Sequence, residues 1–168
     1  MINLDKTIVI SGNSQNTGKT TLTCRIISEN KDKNFTAIKI SPHFHKLTSN
    51  LNIIEQVENQ YVIAEEKDKN SQKDSSLMLK AGAGKVYYVQ TKDEFLPKVL
   101  EKLNNIIDDN SYVIFESGGV IEFINPAIHI FLIKENDIAN KTKNISKQTQ
   151  IINSFSDEYF QLARKIFT

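Results

Sequence analysis

The segment Gly12-Asn13-Ser14-Gln15-Asn16-Thr17-Gly18-Lys19-Thr20 fits the pattern G-x-x-x-x-G-K-[ST] at every position, and it constrains the fold more than any other feature of the chain. Residues 7–10 ahead of it form a β-branched run that reads as a buried strand. Residues 20–28 behind it place Leu22, Ile26 and Ile27 on one side of a helix. A strand, a tight loop and a helix in that order turn the loop's backbone N–H groups inward at a helix N-terminus. There they bind closely spaced negative oxygens without bulky side chains. Gly12, Asn13, Ser14, Gln15, Asn16, Thr17, Gly18, Lys19, Thr20 and Thr21 are therefore the candidate phosphate-binding residues. Lys19 supplies a full positive charge for β- and γ-phosphates, and the Thr20 hydroxyl is short enough to ligate Mg²⁺.

The remainder of the chain alternates strands and helices. Residues 35–40 read as a second strand, closed by a turn at Ser41-Pro42, because proline disfavours helical geometry in the residue before it. Two β-like runs, 53–57 and 61–64, flank Glu58-Asn59-Gln60 and predict a β-hairpin or an irregular insertion near 52–66. A short helix over 74–80 leads into Gly82 and Gly84, and a strand over 85–90 follows. Thr91-Lys92-Asp93-Glu94 has the form of a capping box opening a helix to about residue 108. Residues 111–115 and 128–133 are further apolar strands, and Ile145, Ile152, Phe155, Leu162 and Ile166 fit a closing amphipathic helix. The alternation predicts an α/β fold, a mostly parallel sheet flanked by helices, organised as a P-loop NTPase fold. Residues 1–168 are expected to form a single nucleotide-binding domain.

Composition limits the partners. With 39% hydrophobic and 24% charged residues the chain reads as soluble and globular. No apolar run approaches the ~20 residues of a membrane span. The N-terminus lacks a basic region followed by an apolar stretch, so a cytoplasmic location and no membrane partner are expected. Cys24 is the one cysteine, and with three histidines there is no Cys/His cluster at zinc spacing. The net charge of +1 is not the concentrated basic patch that nucleic-acid binding requires, and the lysines between Lys67 and Lys73 are interleaved with acids.

Tyr112-Val113-Ile114-Phe115-Glu116 is an apolar strand ending in an acid, the form of a Walker B element with Glu in place of Asp. In a parallel sheet the C-terminal strand ends gather at one edge, so Glu116 is expected beside Gly12, holding a Mg²⁺-bound water near the phosphates. Gly118 and Gly119 directly after it would let backbone approach a ligand. Asn13 stands where ParA-like and nitrogenase-iron-protein-like ATPases carry a second lysine that reaches the partner subunit's nucleotide, which disfavours that form of coupled dimer. Only Arg25 and Arg164 are arginines, so a kinase of this sequence would have to neutralise phosphoryl charge with lysines. Asn140-Lys141-Thr142-Lys143 lacks the acid of a guanine-specifying N-K-x-D, and the base, adenine or guanine, is not readable.

Lys73-Asp74-Ser75 leads through a short helix into Ala81-Gly82-Ala83 and a strand. Together with the P-loop, Ile38-Lys39 ending the second strand, His43 and His45 beyond it, and Glu116, this order resembles the molybdopterin-guanine dinucleotide biosynthesis protein B family, or MobB, over residues 5–133. The resemblance implies a small P-loop GTPase in which Asp74 lies near the metal and phosphates. Read from the residues alone, Asp74 instead N-caps its helix, and the two roles are compatible. His43 and His45 alternate around Phe44 and would point the same way on an extended backbone, either as an anion or substrate contact or simply facing solvent. Pro42, the 52–66 stretch, Ser117-Gly118-Gly119 and residues 134–168 depart from the family pattern.

The expected protein is a Mg²⁺-dependent NTPase that binds GTP or ATP and hydrolyses it slowly, with Lys19, Asp74 and Glu116 as catalytic candidates and Thr20, Glu116 and Asp74 as metal candidates. By resemblance it assists molybdenum-cofactor maturation, docking on a nucleotidyltransferase, with a homodimer among the open assemblies. Two alternatives stand beside it. One is an ATP-dependent small-molecule kinase or a ligase resembling dethiobiotin synthetase, its acceptor site lined by Lys39, His43 and Lys73. The other is a non-catalytic module whose nucleotide switches a partner surface around residues 41–66.

Overall fold

The computed structural model describes residues 2–134 and 149–167. Its elements run β1 (Thr7–Gly12), α1 (Lys19–Glu29), β2 (Phe35–Ser41), β3 (Leu51–Val57), β4 (Tyr61–Glu66), α2 (Asp74–Ala81), β5 (Lys85–Thr91), α3 (Leu96–Ile106), β6 (Tyr112–Glu116), β7 (Ile128–Ile133), β8 (Thr149–Asn153) and α4 (Asp157–Lys165). Eight strands form one sheet in the order β3-β4-β5-β2-β6-β1-β7-β8. The stretch from β5 to β8 is parallel throughout, while β3 and β4 add an antiparallel edge. This is the α/β, mostly parallel P-loop NTPase architecture expected from the alternation. No described helix is long and apolar enough to cross a membrane.

The period of two along β1 explains the layering. Ile8 and Ile10 face a core built with Leu22, Ile26 and Ile27 of α1, Met78 and Leu79 of α2, and Tyr159 and Ala163 of α4. Val9 faces the opposite core, with Ile38, Val113 and Phe115 from the sheet and Leu96, Val99 and Leu103 from α3. The central strands are therefore apolar on both faces, as a sheet covered on both sides requires.

Three expectations change. The 52–66 stretch is a hairpin, and it is no separate insertion: β4 pairs with β5 and extends the sheet. The capping box does not form. Thr91 Oγ1 donates to the carbonyls of Gln60 and Lys92, tying β5 to the hairpin, and α3 begins at Leu96 after a 3₁₀ turn over Asp93–Phe95. Proline early in α3 costs nothing there, because the first-turn N–H groups have no intrahelical partner. The closing helix is shorter than expected, since Ile152 lies in β8, whose parallel pairing with β7 satisfies its backbone, and Phe155 precedes the helix. Ile145 and residues 140–143 lie outside the described residues.

Candidate functional site

The loop between β1 and α1 owes its shape to the absence of side chains at its two glycines. A Cβ at Gly12 would come within 2.8 Å of the Leu132 carbonyl oxygen and 2.9 Å of Thr17 Oγ1. Gly18 sits at φ +81° as the residue preceding α1, a left-handed conformation that L side chains rarely adopt, and its carbonyl accepts from Leu22 N–H and from the Tyr159 hydroxyl. Asn16 also has positive φ. Asn13 is buried, its N–H donating to the Leu132 carbonyl and its Oδ1 accepting from Lys134 N–H, so this side chain is used to fasten the loop to β7. Ser14, Gln15 and Asn16 curve over the top, and Thr17 is buried beneath them. Lys19 Nζ donates to the Ser14 carbonyl at 2.7 Å and to Thr17 Oγ1 at 3.0 Å. Burial lowers the Lys19 ammonium pKa, and the Glu116 charge opposes that shift.

The sheet register brings the acid to this loop. Glu116 pairs with Ile10 on one side and Lys39 on the other, at the same strand-end edge as Gly12. Its carboxylate is buried. Oε1 accepts from Thr20 Oγ1 at 3.1 Å and from Lys39 Nζ in a short charge-assisted contact, while Oε2 has no partner among the described residues. Burial raises the Glu116 pKa, and Lys39 opposes it. Burial by itself would lower Lys39, but Glu116 and Asp74 outweigh it and hold that ammonium above the usual lysine value. Lys39 Nζ lies 2.7 Å from Asp74 Oδ2, so one lysine joins the two carboxylates.

Asp74 is thus placed at the site, and it is not the cap of its helix. Lys73 occupies the N-cap position and Asp74 opens the first turn of α2, where a negative charge suits the helix dipole. A Cβ at Gly119 would sit 2.6 Å from Asp93 Oδ1, so its lack of a side chain makes room for that carboxylate. Gly118 lies on the cleft wall. Thr21 is exposed on the first turn of α1. Gly82, at φ +114°, ends α2 with its N–H on the Leu79 carbonyl.

These groups open into a cleft of about 1280 Å³ that runs from the loop past Glu116 to His43, His45, Lys46 and Lys73. His43 and His45 are exposed, ring centroids 6.2 Å apart. Both arginines pair with one acid: Arg25, which lines the cleft, and Arg164 each lie 3.1 Å from Glu29. Cys24 also lines the cleft, and burial pushes its thiol up to about 12, which keeps it protonated near neutral pH.

The donors suit a hard cation. The Thr20 hydroxyl, the unpartnered Glu116 Oε2 and the Asp74 carboxylate are oxygen ligands, and Mg²⁺ is commonly held by one or two carboxylates together with substrate phosphates and water. No group of three or more His, Cys, Asp or Glu among the described residues forms a complete metal cage. Lys39, expected on the wall of an acceptor site, instead bridges Asp74 and Glu116. Its signal was present as a charged side chain inside the apolar run Ile38-Lys39-Ile40.

The model of the AAA domain (dynein-related subfamily) matches residues 14–151. A comparison with the curated proteins finds no match. Among solved structures, the "apo" form of LpxK from Aquifex aeolicus in complex with ATP superposes with a TM-score of 0.46 and 16% sequence identity, over 82% of this chain and 41% of that one. The chain spans about two fifths of that protein's length.

Proposed function

We propose that this chain, which belongs to the AAA domain family (dynein-related subfamily), binds a Mg²⁺ nucleoside triphosphate, ATP or GTP, on residues 12–21 and hydrolyses it slowly. The observation that carries the reading is the convergence of Thr20 and Lys39 on the buried Glu116, whose second oxygen has no protein partner, at the mouth of the phosphate loop.

Lys19 and the loop amides bind the β- and γ-phosphates, and the lysine exchanges its contacts with Ser14 and Thr17 for phosphate oxygens. Thr20 and Glu116 hold Mg²⁺, which when bound neutralises phosphate charge and orients water. Asp74, half exposed and fixed by Lys39, accepts a hydrogen bond from the attacking water. Hydrolysis is slow because the cations held at Glu116 and the loop are lysines, while Arg25, on the cleft wall, and Arg164 pair with Glu29. Calorimetric titration of ATP and GTP with Mg²⁺ tests the reading. Binding of at least one, lost on chelation, is expected; failure of both to bind removes it.

A second reading has its own support. Beyond Glu116 the cleft is lined by His43, His45, Lys46 and Lys73, and among the described residues its only lining carboxylates are Asp74 and Glu116. A positively charged extension next to the γ-phosphate position suits transfer to an anionic small-molecule acceptor. Phosphorylated product in a metabolite-pool assay would favour transfer over hydrolysis. The finer role in molybdenum-cofactor maturation, with a nucleotidyltransferase as partner, rests on the MobB resemblance. Its support is that Lys39, Asp74 and Glu116, which carry that resemblance, lie together at the loop.

A further inference from the structure

Among the described residues, Phe155 is the one large apolar side chain on the cleft wall that burial does not explain. It is 53% exposed, lines the same cleft as Gly18, Thr21 and Cys24, and has φ +61°, a left-handed backbone that is a genuine outlier for a bulky residue. Its neighbours hold it there. Ser154 N–H donates to the Ile133 carbonyl, Ser156 N–H donates to the Asn153 carbonyl, and Ser156 Oγ caps α4 by accepting from Tyr159 N–H. Below it the Tyr159 ring lies 5.3 Å away, anchored by its hydroxyl on the Gly18 carbonyl. The Phe155 ring edge reaches the loop itself, its Cζ standing 3.0 Å from where a Gly18 Cβ would be.

A strained backbone that presents an exposed aromatic face beside a phosphate-binding loop calls for a flat apolar partner. The loop binds the phosphate end of a nucleotide, and the base must leave it on one side. Glu116 on β6 and Lys39 on β2 lie to one side of β1 in the sheet, with Asp74 bound to Lys39, and β8, which Phe155 follows, lies to the other. We infer that Phe155 is the nucleobase platform, stacking the base of the nucleoside triphosphate against its free face. Stacking on an aromatic ring is tolerant of base identity, because every base has a π-face. Phe155 therefore contributes affinity for the nucleoside without choosing between adenine and guanine.

The inference rests on triphosphate binding at residues 12–21, and the test separates the two. Mg²⁺-dependent binding of ATP, GTP and inorganic tripolyphosphate is measured on the parent, Phe155→Ala and Phe155→Tyr. Phe155→Ala is expected to weaken both nucleotides on the order of tenfold, to leave tripolyphosphate unchanged, and to be rescued by Phe155→Tyr. Equal weakening of all three ligands would mean that Phe155 only shapes the loop, and unchanged nucleotide affinity would mean that it touches no base; either result overturns the inference. A parent that binds none of the ligands overturns the triphosphate reading beneath it. Phe155→Trp supplies a second readout, since the chain contains no tryptophan. Its fluorescence should be quenched by nucleotide and not by tripolyphosphate, and equal responses to both would count against stacking.

Discussion

Thr20 Oγ1 donates to Glu116 Oε1 over 3.1 Å, joining the end of the phosphate loop to the end of a strand 96 residues later. The bond positions one oxygen from each of the two motifs on which metal-assisted phosphate chemistry depends, and the parallel pairing of β1 with β6 is what brings them together. Its other partner, Lys39, determines how the site responds to change.

Lys19→Ala should weaken Mg²⁺ triphosphate binding by about 30- to 150-fold, the worth of one charge-assisted contact of about 2–3 kcal/mol. The melting temperature should hardly move, because the Lys19 ammonium contacts only its own loop. Titration calorimetry and thermal unfolding on the same sample check both halves.

Asp74→Asn should keep triphosphate affinity within about twofold while lowering turnover by about 100-fold, if the carboxylate accepts a proton or hydrogen bond from water in the transition state. The neutral amide keeps the shape beside Lys39 but is a far weaker base. Single-turnover kinetics at saturating nucleotide distinguish this from a binding defect.

Lys39→Met should cost about 3 kcal/mol of stability at pH 8, because it strands the buried Glu116 carboxylate without its cation. The sign with pH follows from Glu116. Its folded pKa is raised by burial above the ordinary 4.5, so its protonation favours the folded state fully below that value and the benefit fades as pH rises through the raised one. Removing Lys39 raises it further. The defect should therefore shrink toward pH 5, and urea unfolding at the two pH values would contradict the account if the loss were equal.

His129 predicts an opposite slope. It is buried between β1 and β8, its Nε2 2.7 Å from Ser11 Oγ and its Nδ1 2.8 Å from Thr149 Oγ1, and burial pushes the imidazole down to about 4. A lowered pKa gives stability that is present above the unfolded value of 6.5 and is lost as pH falls through about 4, amounting to about 3 kcal/mol. His129→Gln should flatten the acid limb of the stability curve over that window.

Local signals were legible where chemistry and backbone demand coincide. The phosphate loop required Gly12 and Gly18 for reasons of space and φ, so its letters identified it without tertiary context. The strand ending at Glu116 was legible for the same reason, an apolar run closed by an acid. The capping box failed because Thr91 found better partners in Gln60 and Lys92, and a local motif competes with contacts that no window of sequence contains. Asp74 was readable as a cap or as a site residue until the fold placed Lys39 beside it.

The sequence by itself determined the strand–loop–helix unit, the α/β class and the residues proposed to meet phosphate, since each follows from periodicity, glycine geometry or charge within a dozen or so neighbours. Tertiary structure alone decided the rest. The hairpin became part of the sheet because its second strand, β4, could pair with β5 and leave β3 as the edge. The closing segment divided into a strand and a helix because β7 offered backbone partners to Ile152 and its neighbours. Lys39, Asp74 and Glu116 converge on one loop from three different elements, and Phe155 reaches it from the turn between β8 and α4; that convergence depends on strand order and register, properties of pairing between distant segments that local propensity does not encode.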